Sequence, residues 1–209
     1  MSSIKLKICG MRESANIYSV ASTRPDFMGF IFYKKSPRYV GENFSVPHDL
    51  DASIQRVGVF VNGELDSVID LVAKHHLDFV QLHGDESPAY CKELKEKGIG
   101  VIKVFSVDDG FDFATTDQYA SEVDYFLFDT KGKARGGNGV AFNWSLLENY
   151  KGTTPFFLSG GIDPENVNEV FSVKHEQLFA IDVNSGIESA PGSKDMSKLN
   201  LLIKNYVDR

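Results

Sequence analysis

Cys9 and Asp129 are the residues whose type and setting best suit chemistry. Each closes an apolar run. Ile4, Leu6 and Ile8 alternate with Lys5, Lys7 and Cys9, the period-two pattern of a strand, before Gly10 breaks it. Tyr125-Phe126-Leu127-Phe128 runs directly into Asp129. In parallel α/β proteins the carboxyl ends of strands are where ligands bind and catalysis is built. A thiol and a carboxylic acid on one such rim supply a proton acceptor and a proton donor. Apolar surroundings raise a carboxyl pKa toward that of a usable general acid. Lys7 shares a face with Cys9, and a buried cation beneath a thiol favours the thiolate. Bland alternatives exist: a free cysteine is commonly a small buried hydrophobe, and Asp129 could cap the next segment or pair with Lys131. Cys91, among Tyr90 and Lys92, reads as packing.

Further candidates fall at the same rim. Ser159-Gly160-Gly161 follows the seventh strand-like run and Asn184-Ser185-Gly186 the eighth. Glycines let backbone amides approach a ligand, and in a barrel these two loops are the usual phosphate site; a glycine pair alone is more often just a turn. Lys34-Lys35-Ser36-Pro37-Arg38-Tyr39 is the densest positive cluster in an acidic chain. It is either a solvated basic loop or a site in which Arg38 clamps a carboxylate in bidentate fashion. Gln81 and His83 share one face at the end of the fourth run, and Asp182 lies on the eighth, where it could pair with Lys7 or orient Cys9. Gly136-Gly137-Asn138-Gly139 is either a mobile cover or a surface turn. No His/Cys/Asp grouping has metal-ligand spacing, so no metal site is expected, and no Ser-His-Asp elbow is present.

The elements that must position these groups recur along the whole chain. Strand-like runs are Ile4–Cys9, Phe27–Phe32, Gln55–Phe60, Phe79–Leu82, Val101–Phe105, Tyr125–Asp129, Pro155–Ser159 and Leu178–Val183. Their spacing of roughly 22 to 30 residues is that of one βα unit. Amphipathic stripes lie between most of them: Leu65, Ile69, Leu71 and Val72; Tyr90, Leu94 and Ile99; Val167, Val170 and Phe171; and, after the last strand, Met196, Leu199, Leu202, Ile203 and Tyr206. Asp163-Pro164-Glu165 is a strong helix opening, with Asp as N-cap and Pro at the first position. Residues 106–122 fit only a short helix. Eight such units without a boundary predict a single α/β domain over 1–209, a (β/α)8 TIM barrel with a closed parallel eight-stranded sheet, smaller than the roughly 250 residues typical of one. The rival, an open doubly wound sheet, lacks its dinucleotide fingerprint, because Gly10 is not followed by the required glycines.

Composition narrows the function classes. The 209 residues carry a net charge of −7, which argues against a nucleic-acid or anionic-membrane partner. Apolar content of 42% and charged content of 24% are ordinary for a globular protein. No apolar run approaches the roughly 18 residues of a membrane span, and residues 1–7 lack the apolar segment of a signal peptide. Two cysteines make no disulfide framework, so a cytoplasmic location is expected.

With these residues assembled, the chain resembles the phosphoribosylanthranilate isomerase family nearly end to end. The carriers are Lys7-Ile8-Cys9-Gly10, Gly29-Phe30-Ile31-Phe32, Ser36-Pro37-Arg38-Tyr39 and Val57-Gly58-Val59-Phe60-Val61-Asn62. They continue with Gln81-Leu82-His83-Gly84-Asp85-Glu86, Leu127-Phe128-Asp129-Thr130, Leu158-Ser159-Gly160-Gly161 and Asp182-Val183-Asn184-Ser185-Gly186-Ile187-Glu188. The resemblance implies a cofactor-free barrel of tryptophan biosynthesis. Its reaction is the Amadori rearrangement of N-(5-phosphoribosyl)anthranilate to 1-(2-carboxyphenylamino)-1-deoxyribulose 5-phosphate. It implies Asp129 as the acid that opens the furanose ring and Cys9, as thiolate, as the base that takes the C2 proton. Arg38 would hold the anthranilate carboxylate, with Gln81 and His83 on that side. Gly160, Gly161, Ser185 and Gly186 would hold the phosphate, and Lys7 and Asp182 would support the base. The expected partner is this small phosphorylated substrate, with the chain a monomer or a homodimer. Two positions depart from the family pattern: Asn184 stands where Ser is usual, and Asn138 where Thr or Ser is usual. The rival readings are another phosphosugar enzyme on the same barrel, or a non-catalytic phospholigand-binding barrel. A lysine acid would be needed for indole-glycerol-phosphate synthesis, and Lys103 lies inside the fifth run rather than at its end.

Overall fold

The computed structural model describes residues 4–130 and 143–207. Eight parallel strands close into a barrel in sequence order. They are β1 (Lys5–Ile8), β2 (Phe27–Ile31), β3 (Gln55–Phe60), β4 (Phe79–Leu82), β5 (Gly100–Val107), β6 (Tyr125–Thr130), β7 (Phe156–Leu158) and β8 (Leu178–Val183). Closure is made by β1 against β8, with Lys7 opposite Asp182 and Ile8 opposite Val183. The Gly136–Gly139 loop, Asn138 and Lys131 lie outside the described residues.

Strand alternation sorts the side chains into layers. Leu6 and Ile8 point outward into the main core, with Phe30, Leu82, Phe126, Phe128 and Leu158. Phe27, Val57, Ile102, Val104, Leu127, Phe157 and Ala180 form a separate apolar cluster. Phe27 meets Phe157 edge-on at 5.2 Å, and Tyr125 stacks on Phe179 at 4.6 Å. These positions share the parity of Lys7 and Cys9 in the paired registers, so this cluster fills the barrel interior beneath the site. A third cluster, Cys9, Ile31 and Val59, lies at the carboxyl rim. The polar side of the first strand therefore faces the barrel axis, and Lys7 is fully buried.

Helices α1 (Ser14–Ala21), α2 (Leu65–His75), α3 (Pro88–Glu96) and α4 (Met196–Val207) cover part of the outside. Ser87 caps α3, its hydroxyl accepting from Tyr90 N, with Pro88 at the first position. The other crossovers are shorter. Residues 113–119, 144–149 and 167–172 are 3₁₀ turns, which explains how the barrel closes in 209 residues. The Asp163 cap expected at Asp163-Pro164-Glu165 forms, and the Val167 amide donates to the Asp163 carbonyl at 3.0 Å, but a 3₁₀ segment follows in place of an α-helix. Asp163 Oδ1 accepts from the amides of Glu165 and Asn166 at 2.8 and 3.0 Å, making a turn, and the helical segment begins only at Val167. Its buried residues, Val167 and Val170, are three apart, the 3₁₀ repeat. Ile99 lies beyond α3, which ends before the Lys97-Gly98 turn. After β8 a short hairpin follows, β9 (Glu188–Ala190) and β10 (Ser193–Lys194).

Candidate active site

The rim is built from the base of β1 upward. Lys7 Nζ donates to Gln81 Oε1 at 2.8 Å and to Asp182 Oδ1 at 2.7 Å, and its charge acts on the Cys9 thiol. Two of its protons thus have buried acceptors, one of them a carboxylate, as a buried ammonium requires. Burial works against the charge, but Asp182 and Cys9 outweigh it and the Lys7 pKa is raised. The pairing of Lys7 with Asp182 follows from strand register alone.

Cys9 is 3% exposed, one residue past β1, with its amide donating to Val183 O at 2.9 Å. Its Sγ lies against Gly29 of β2: a Cβ added at Gly29 would sit 2.6 Å from the sulfur. Any larger residue there would displace the thiol, a role that the sequence pattern of β2 does not reveal. One expectation is corrected. Lys7 does push the thiol toward ionisation, but burial is the larger influence and Asp182 adds to it, so the Cys9 pKa stands above its ordinary value rather than below. Cys91 is buried packing, as read from the sequence, and burial lifts its thiol to about 11.

Asp129 ends the inward face of β6, 5% exposed. Burial pushes its carboxyl up to about 6, with Asp182 adding to the shift; the Thr130 amide at 2.9 Å and the Ser159 hydroxyl oppose it. The carboxyl is thus poised as a proton donor near neutral pH, as its apolar strand suggested. His83 Nε2 stands 3.6 Å from Asp129 Oδ2, so His83 belongs beside the acid. Gln81 lies below it, its amide oxygen engaged by Lys7.

Arg38 is buried despite its basic surroundings. The segment 32–53 contains no helix or strand, and a single parallel bridge from Tyr39 to Ile31 fixes it on the rim. The Arg38 guanidinium already meets a carboxylate. Nε bonds Glu188 Oε1 at 2.9 Å and Nη2 bonds Oε2 at 2.7 Å. Glu188 also accepts from Lys194 Nζ at 2.8 Å and Gly192 N at 2.9 Å. Burial disfavours its charge, but these donors prevail and its pKa is lowered. Sequence reasoning missed Glu188 and Lys194 as site residues, because only the β9–β10 hairpin brings them to the rim.

The loops after β7 and β8 touch. Gly186 packs on the Ile162 carbonyl, so closely that a Cβ would strike its oxygen. Gly160 has φ +99°, and a Cβ there would strike Thr130 Oγ1. Asn166 Nδ2 donates to Gly161 O at 2.7 Å, anchoring the loop. Gly160, Gly161, Ser185 and Gly186 therefore form one patch beside β6. Among the described residues no group of three or more His, Cys, Asp or Glu is placed to hold a metal ion. A cavity of about 460 Å³ is lined by Trp144, Asn166, Glu169 and His175, and of the residues named at the rim only the loop anchor Asn166 reaches it.

Residues 6–205 match the family model described as N-(5'phosphoribosyl)anthranilate (PRA) isomerase. A protein of Parabacteroides distasonis named N-(5'-phosphoribosyl)anthranilate isomerase is 44% identical over 98% of this chain and 92% of its own length. A crystal structure of a phosphoribosyl anthranilate isomerase in complex with reduced 1-(o-carboxyphenylamino)-1-deoxyribulose 5-phosphate superposes with a TM-score of 0.81 at 33% identity, covering 99% of this chain and 100% of that one. A structure of mutually generated monomers of the dimeric enzyme from Thermotoga maritima gives 0.80 at 35% identity, covering 99% and 100%. A closed barrel with a thiol and a raised carboxyl at its rim, matched along its length in sequence and structure, places this chain in the N-(5'-phosphoribosyl)anthranilate isomerase family.

Proposed function

We propose that Asp129 and Cys9 divide the two proton transfers of this isomerisation, a step of tryptophan biosynthesis. Asp129, as the neutral acid, protonates the furanose ring oxygen of N-(5'-phosphoribosyl)anthranilate. The C1–O bond breaks and the anilino nitrogen forms a protonated Schiff base. Cys9, as thiolate, takes the proton from C2, giving an enolamine. Protonation at C1 and loss of the hydroxyl proton at C2 complete the ketone. No electrons leave the substrate, and each proton taken is returned. The observation that carries this reading is the raised Asp129 carboxyl at the end of β6, on the same rim as a thiol backed by the Lys7 ammonium.

Arg38 keeps Nη1 for the anthranilate carboxylate while Glu188 holds the opposite edge of its guanidinium. Its bond to Glu188 fixes the fork before substrate arrives, which lowers the ordering cost of binding. His83 lines the same side, next to the acid. The phosphate is assigned to the patch of Gly160, Gly161, Ser185 and Gly186. The whole chain is taken as one catalytic domain, monomeric or paired as a homodimer. Its two buried free thiols suit a reducing cytoplasm.

Turnover is followed by loss of the substrate's anthranilate fluorescence. The chain should consume N-(5'-phosphoribosyl)anthranilate and leave the phosphosugar substrates of the rival barrels unchanged; the reverse result overturns the reading. Arg38→Ala should raise KM by the equivalent of about 2–5 kcal/mol, the cost of leaving a desolvated charge unpaired. An analogue without the carboxylate should bind both forms alike; equal losses for both ligands contradict the clamp.

Inorganic phosphate should inhibit competitively. Gly160 cannot be tested cleanly, because its positive φ and its contact with Thr130 forbid a side chain for structural reasons. Ser185→Asp brings a negative charge to the patch instead. It should weaken phosphate inhibition at least about tenfold; an unchanged inhibition constant puts the phosphate elsewhere.

A further inference from the structure

The β9–β10 hairpin carries a buried ammonium that the acid–base scheme does not use. Lys194 is 3% exposed. Its Nζ donates to Asn184 O at 3.2 Å, Asn184 Oδ1 at 2.7 Å and Glu188 Oε1 at 2.8 Å. Each acceptor leads to the rim. Glu188 grips Arg38. Asn184 follows Val183, whose carbonyl holds the Cys9 amide. Asn184 Oδ1 also presses on the residue after the thiol, for a Cβ at Gly10 would lie 2.6 Å from it. A single side chain thus separates the ammonium from the Cys9–Gly10 turn. Packing alone does not call for a cation here, since buried ion pairs can often be replaced by apolar groups without loss of stability.

We propose that Lys194 is a positioning residue for the isomerisation. It pins the Cys9–Gly10 turn through Asn184 and supplies a second positive charge, after Lys7, that favours the thiolate. The inference rests on Cys9 acting as the base. The charged groups acting on the thiol are Lys7 from its own strand, Asp182 from β8 and Lys194 from β10; Gly29 on β2 adds none. The two lysines oppose burial and Asp182. Charges in so enclosed a setting are weakly screened by salt. Burial lowers the pKa of this ammonium and Arg38 adds to the effect, while Glu188 and the Cys9 thiolate favour its charge.

Thiolate content is read directly by alkylation. In a Cys91→Ser background Cys9 is the sole thiol, because the chain has two cysteines. Its reaction with iodoacetamide is measured across pH. Lys194→Met should slow alkylation at pH 7 about tenfold and raise its midpoint by about one unit. Over the same change kcat should fall while KM moves little. Lys194→Arg should restore most of the reactivity. Glu188→Gln keeps the lysine but removes the carboxylate that favours its charge, so it should raise the midpoint no more than Lys194→Met does. The double variant Lys194→Met/Glu188→Gln leaves no unpaired buried carboxylate and should reproduce the upward shift even if Lys194→Met alone folds poorly. An unchanged midpoint in the double variant overturns the proposal. Failure of Lys194→Arg to restore the reactivity also overturns it, because the network would then be structural only. Alkylation does not require turnover, so failure here is distinct from Cys9→Ala retaining activity, which would overturn the base assignment itself.

Discussion

Cys9→Ala should lower kcat at least about 10²-fold, the usual scale for losing a positioned proton acceptor, with little change in substrate affinity. The thiol touches Gly29 and Lys7 rather than the candidate phosphate and carboxylate groups, so removing it leaves the binding contacts standing. Alanine leaves only a small hole at a rim position. Lys7 keeps Gln81 and Asp182 as partners, so the buried ammonium is not orphaned. The check is steady-state turnover together with the affinity for a reduced, unreactive product analogue. Turnover within a few-fold of the unaltered protein would remove Cys9 from the role of base.

Asp129→Asn should be comparably severe in activity, by about 10²- to 10⁴-fold, and yet stabilise the fold. The amide matches the carboxylate in shape and can still accept from the Thr130 amide, but it has no proton to give. The loss should be largest on the closed furanose and small on an analogue already opened to the Schiff base or enolamine. Equal impairment on both would show that Asp129 does not open the ring. The stability effect has a definite sign. Burial moves the Asp129 pKa from 3.8 to about 6, so the folded state binds this proton more tightly than the unfolded chain. Stability from this group is fully present below the unfolded value and is lost as pH rises through the folded one. Above about pH 7 the ionised, buried carboxylate costs up to about 3 kcal/mol relative to an exposed one. Asparagine removes that cost. Urea unfolding at pH 8 should find Asp129→Asn the more stable form, with the gap closing by pH 4. A variant less stable at pH 8 would mean that burial does not dominate the carboxyl's environment.

The barrel was legible because its strands are short apolar runs at βα spacing, and because strand alternation fixes which residues face inward. That rule carried Lys7, Cys9 and Asp182 to one interior and Asp129 to the same rim. It failed where tertiary packing decides. Val167 and Val170 carry a helical stripe and Asp163 caps it, but the segment that follows is a short 3₁₀ turn. Glu188 and Lys194 follow the last barrel strand in sequence, and nothing in their spacing announces that a hairpin folds them back onto Arg38. In the sequence pattern Gly29 is one more strand residue, and only the folded packing sets the sulfur against it. The thiol's acidity could not be signed from sequence, since a cation beneath it and its own burial act in opposite directions and only depth settles which prevails.

That balance makes the pH profile of kcat/KM the most direct test of the paired acid and base. Productive protein needs Asp129 protonated and Cys9 ionised. Burial pushes the carboxyl up to about 6 and holds the thiol above its ordinary value, so at neutral pH only a small fraction of the molecules holds both states together. From pH 6 to 9 the rising thiolate fraction and the falling acid fraction cancel, giving a plateau. Below it the acid is already fully protonated and the rate rises with thiolate alone, so the lower limb falls at the carboxyl's pKa. Above it the thiol is fully ionised, and the rate falls as the remaining acid is lost. The substrate phosphate also titrates near pH 6, and its contribution is removed with the pH dependence of the inhibition constant of a phosphorylated product analogue. The corrected profile should rise to a limb near 6, stay level, and fall above 9. A rate that climbs continuously through pH 9, with no limb near 6, would contradict a protonated Asp129 acting together with the Cys9 thiolate.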